Sequence, residues 1–131
     1  PRHTHRVVNL LMSSLEERPD EHGVPYAGAL DRILALAYGL PPHSPVYFRG
    51  TNNGAAIING LRRHLPQEER LRHLQYFASA DHITARYAIW LLDNHGDTRG
   101  REILRELYLA DAAREPSARW VLERMARDRG W

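Results

Sequence analysis

Apolar positions along the first forty residues recur at helical spacing. In "HRVVNLLMSSLEER", Val7, Val8, Leu11 and Leu15 fall on one face, which predicts a helix over 5–18. "RPDEHGVP" interrupts that pattern with Pro19, Gly23 and Pro25. "YAGALDRILALAYGL" resumes it, placing Leu30, Ile33, Leu34 and Ala37 on one stripe. Gly39 supplies a stop, and Pro41-Pro42 prevents continuation. "PVYFRG" is short, aromatic and bounded by Pro45 and Gly50, and so predicts a strand. "GAAIINGLRRHL" reads as a helix or helical turn. "PQEERLRHL" reads as another, with Pro66 at its first position and two glutamates to complement the dipole.

The second half is more ambiguous. "QYFAS", residues 75–79, predicts a second short strand. "DHITARYAIWLLDNHG" is strongly helical, with Asp81 as its cap and Ile83, Tyr87, Trp90 and Leu91 on one face. "GREILRELYLAD" fits a helix by propensity and also admits an extended reading. "EPSARWVLERMARDRG" gives a last helix, with Pro116 near its start and Ala118, Leu122 and Met125 on one side. The expected architecture is α+β. A helical part over 1–42 precedes a small split-sheet core over 43–131, within a single domain. The alternative is all-α, with six to seven short helices.

Composition changes this picture only in places. A chain of 131 residues suits one domain with a real core. No apolar run approaches the length of a membrane span, so no membrane partner is expected. There is no cysteine, which excludes disulfides and thiolate chemistry. His3 and His5 form a His-x-His, but no third ligand stands at metal spacing, and no metal is expected. A net charge of +2, with basic residues interleaved among acids, does not point to nucleic acid. All 18 basic residues are arginine. A GC-rich coding sequence accounts for that most simply; delivery into a cell where lysine would be ubiquitinated is the functional reading. No signal-peptide pattern is present, and opening on Pro1 is what a processed or excised piece would show.

The middle third carries a resemblance in ordered pieces. "VYFRGT", "IINGLRR" and "QYFASADHITARYA" resemble, in that order and spacing, the ADP-ribosyltransferase superfamily, in particular its arginine–serine–glutamate toxin branch. The resemblance implies a split sheet and NAD as cofactor. It implies mono-ADP-ribosyl transfer to an acceptor, most simply a protein, by a bacterial toxin or effector that is secreted or delivered into a target cell. It places Arg49, Gly50 and Thr51 on the dinucleotide, Tyr76 or Phe77 on the nicotinamide and Ser79 on the ribose. Glu106, or Glu102, would be the catalytic carboxylate that stabilises an oxocarbenium-like state. An arginine fork, a bare glycine backbone and a carboxylate are the groups such chemistry needs. The chain departs from that branch in having one serine between alanines and no Glu-x-Glu pair. The rival reading is a non-catalytic helical protein–protein interaction module, in which "PVYFRGTNNG" is a surface loop with Tyr47, Phe48 and Arg49 as its anchors.

Overall fold

The structure, a computed structural model, describes residues 2–16, 28–39, 54–82 and 84–131, with side chains from Arg6 onward and that of Glu16 excepted. These residues form seven helices and no strand. They are α1 (Arg2–Glu16), α2 (Ala29–Tyr38), α3 (Gly54–Gly60), α4 (Gln67–Ala78), α5 (Thr84–His95), α6 (Asp97–Leu109) and α7 (Pro116–Arg129).

The expected α+β class and its split sheet are therefore overturned in favour of an all-α array. The decisive segment is "QYFAS". Residues 75–78 are the last turn of α4, not a strand. Leu71, Leu74, Phe77 and Ala78 are buried along one face of that helix, so the 3.6-residue period runs through the segment without a break. The adjacent Tyr76-Phe77 pair gives it β-like composition, but one ring points inward and the other outward. "GREILRELYLAD" settles the same way: Gly100, Ile103, Leu104 and Leu107 are the buried face of α6. The expected strand at "PVYFRG" lies outside the described residues.

Each helix packs mainly on its neighbours in sequence: α1 on α2, α2 on α3, α3 on α4, α4 on α5, α5 on α6 and α6 on α7. Two next-neighbour contacts, α3 with α5 and α5 with α7, put α5 at the centre. One continuous apolar core results, running from Val8 through Ile33, Ile58, Leu74, Leu92 and Ile103 to Leu122. Burying side chains of this kind contributes about 1.5–3 kcal/mol each. The expected stripe of α2 holds, with Ile33 and Ala37 buried and Leu30 and Leu34 packed at its margin.

The α5–α6 corner is the tightest element of the fold, a single residue, Gly96, between two helices. A Cβ on Gly96 would lie 2.5 Å from the Leu92 carbonyl oxygen and 2.7 Å from the Gly100 Cα. A Cβ on Gly100 would lie 2.2 Å from the same oxygen. The two glycines therefore let α6 turn back against α5, and Asp97 completes the turn at φ 52, a region that aspartate tolerates better than most residues.

Candidate functional site

Two α4 side chains from the "QYFAS" segment meet the end of α2. Tyr38 is the last residue of α2 and packs its ring 5.0 Å from Phe77 and 4.8 Å from Tyr76, centroid to centroid. Tyr76 and Phe77 stand edge to face at 5.3 Å. These tilted and perpendicular pairs are the arrangements that ring quadrupoles favour. Phe77 is buried, whereas Tyr76 is 55% and Tyr38 39% exposed. The rings border a groove of about 250 Å³, whose other walls are Ala37, Gly54, Ala80, Asp81, His82 and Thr84.

Gly54 is required for that geometry. A Cβ there would stand 2.7 Å from two Phe77 ring carbons and 2.7 Å from the Ala37 carbonyl oxygen. Only glycine leaves room for the Phe77 ring beside the start of α3. The opposite wall is set by a local cap. The Thr84 N–H donates to His82 Nδ1 at 3.0 Å, and the Thr84 hydroxyl lies 2.7 Å from the same nitrogen. His82, not the expected Asp81, thus serves the first turn of α5.

A histidine supports the tyrosine pair from behind. His73 lies one turn before Tyr76–Phe77 on α4, and its Nδ1 is hydrogen-bonded to the Tyr38 hydroxyl. Its Nε2 is buried, has no hydrogen-bond partner among the described residues, and lies 3.9 Å from a Glu69 carboxylate oxygen. Burial pushes the imidazole below its ordinary 6.5 against the opposing pull of Glu69. Burial also raises the Tyr38 phenol, with Tyr76 adding to the effect. Both groups are therefore neutral near pH 7, as a hydrogen-bonded aromatic cluster requires.

The sequence-predicted site residues that fall among the described residues do not converge. Arg49, Gly50 and Thr51 lie outside the described residues. Tyr76 borders the groove. Ser79 caps α4: its N–H donates to the Gln75 carbonyl at 3.1 Å and its hydroxyl to the Tyr76 carbonyl at 3.1 Å. Glu102 and Glu106 lie on the exposed face of α6, where Arg99 Nη1 reaches them at 3.4 and 3.2 Å and Arg99 Nε reaches Glu68 at 3.3 Å. Glu68 is in the first turn of α4. Tyr76 is eight residues further on, about 12 Å along the helix axis at ~1.5 Å per residue. The two glutamates thus gather at the opposite end of α4 from Tyr76 and Ser79. Their partner is Arg99, which stands three residues before Glu102 on the same helix.

Tyr38 and His73 were absent from the sequence-level candidates, although their signals were present. His73 precedes Tyr76 by three positions on a helix, and Tyr38 stands just before the Gly39 stop. Among the described residues no group of three or more His, Asp or Glu is placed to hold a metal. No described helix is long and apolar enough to cross a membrane. No family model, curated protein or solved structure matches the chain.

Proposed function

We propose that this chain is a non-catalytic helical interaction module. In this reading the groove beside Tyr38 and Tyr76 receives an apolar side chain of a protein partner. The observation that carries it is a pair of part-exposed tyrosine rings held rigidly by Phe77 and His73 at the mouth of a groove. Large rings immobilised before binding lose little further entropy on contact, which is why tyrosine dominates interfaces. Size favours the same reading. The groove's 250 Å³ lies below the roughly 300–1,000 Å³ of small-molecule sites, so it suits one anchoring side chain better than a dinucleotide.

Selection of short random peptides on the wild-type protein tests this, with Tyr76→Ala and Tyr38→Ala as counter-targets. Tyr76 is more than half exposed, so its truncation lowers thermal stability only modestly and leaves the fold intact. Enriched peptides carry an aromatic or branched apolar residue and lose affinity about tenfold or more on Tyr76→Ala. Failure to enrich any peptide, or peptides indifferent to both variants, removes the reading. NAD-dependent ADP-ribosyl transfer rests on the sequence resemblance alone. Saturable NAD binding in calorimetry, lost in Arg49→Ala and leading to transfer that Glu106→Gln abolishes, would restore it.

A further inference from the structure

A second cavity lies at the other end of α4. Arg62, Gln67, Arg70, Asn94, His95 and Asp97 line a polar basin of about 380 Å³. These residues come from the turn after α3, the start of α4, the end of α5 and the start of α6. The volume falls within the range of small-ligand sites, roughly 300–1,000 Å³.

Arg70 forms one wall of the basin and is only 5% exposed. Its guanidinium donates to Asn59 Oδ1 at 3.3 Å and to the His95 carbonyl at 3.1 Å. Both acceptors are neutral, and they use two of the five donors that a guanidinium carries. Among the described residues no carboxylate forms an ion pair with it. A buried charge without a counter-charge is costly. The carbonyl end of α5 offsets part of that cost. Burial, and then the nearby Arg62, push the Arg70 pKa down, with Asp97 acting in the opposite direction. Among the described residues Asp97 is the basin's single carboxylate; it is exposed and accepts from Gln67 Nε2 at 3.4 Å. Two cations against one carboxylate leave the lining positive.

We propose that this basin binds a compact oxyanion, a phosphate or a dicarboxylate, with Arg70 as its buried cation and Arg62 closing from the exposed side. The oxyanion supplies the counter-charge that Arg70 lacks, and the amides of Asn94 and Gln67 stand beside it as further donors. This site is independent of the aromatic groove.

The test is thermal-shift and calorimetric titration of the intact chain with inorganic phosphate and, separately, malonate, each against sodium chloride at matched ionic strength. At least one anion saturates and raises Tm, and the one that does so identifies the oxyanion class. Arg62→Gln, on an exposed side chain, weakens that binding about tenfold or more without lowering the unliganded Tm. Asp97→Asn strengthens it by removing the negative charge that opposes the anion, and asparagine keeps the bond to Gln67 and tolerates the positive φ. Arg70→Met also removes the bonds to Asn59 and His95, so Arg62→Gln is the variant that separates binding from folding. Saturation by neither anion overturns the proposal, as does binding that Arg62→Gln leaves intact or that Asp97→Asn weakens.

Discussion

The His73 imidazole is held between a phenol on α2 and a carboxylate on its own helix. Tyr38 faces it from α2, and Glu69 and Arg72 act on it from within α4. Its pKa is lowered in the fold, so between that value and the ordinary 6.5 the unfolded chain binds the proton that the native ring resists. Stability therefore rises with pH through this window and is lost on acidification. Thermal melts followed by circular dichroism from about pH 7 to about pH 5 will show a steeper fall in Tm for wild type than for His73→Asn, whose side chain does not titrate. Equal slopes would exclude His73 as the source. Gly100→Ala sets two residue-scale effects against each other. Alanine gains about 1 kcal/mol of helix propensity over glycine. Its Cβ would also stand 2.2 Å from a backbone oxygen, which only movement of α5 against α6 can relieve, and overpacking of this kind costs about 1–3 kcal/mol. The clash wins, and the variant melts several degrees below wild type.

Among the elements, α7 shows how a cap decides where a helix begins. Glu115 precedes Pro116, the first helical residue, and its carboxylate accepts the Ala118 N–H at 2.8 Å and the Ser117 hydroxyl at 2.5 Å. Burial pushes its carboxyl up, but the bonds from Ser117 and Ala118 outweigh burial and hold it below the ordinary 4.5. That contribution is complete above the ordinary value and lost as pH falls through the lowered one. Glu115→Ala costs about 1 kcal/mol at neutral pH, read from urea denaturation. The Pro116 start of this helix was legible in sequence, as was its Ala118–Leu122–Met125 stripe, because caps and periodicity are local. α4 was harder to read. Proline and two glutamates marked its start, yet the exposed Tyr76 beside the buried Phe77 imitates the alternation of a strand. The groove lay further from view, since it depends on Tyr38 meeting residues nearly forty positions away, and no local pattern reports that meeting.

At the scale of the whole molecule, the order of packing follows the order of the chain. An array of this kind loses its end helix before its centre, because α7 rests on α5 and α6, while α5 is enclosed by α3, α4, α6 and α7. Leu122→Ala removes a buried side chain from the α7 face at a cost of about 2–5 kcal/mol. Hydrogen exchange in that variant will accelerate across 116–129 well before it does across α5; uniform acceleration would mean that the array unfolds as one unit. The bidentate clamp of Arg129 on Asp93, at 2.9 and 3.0 Å, is the polar tie that resists this fraying. The neighbour-on-neighbour arrangement also sets the tempo of folding. Few segments must search across the chain for a distant mate, so little loop-closure entropy stands in the way. Stopped-flow refolding should run at the microsecond-to-millisecond pace of helical proteins with low contact order.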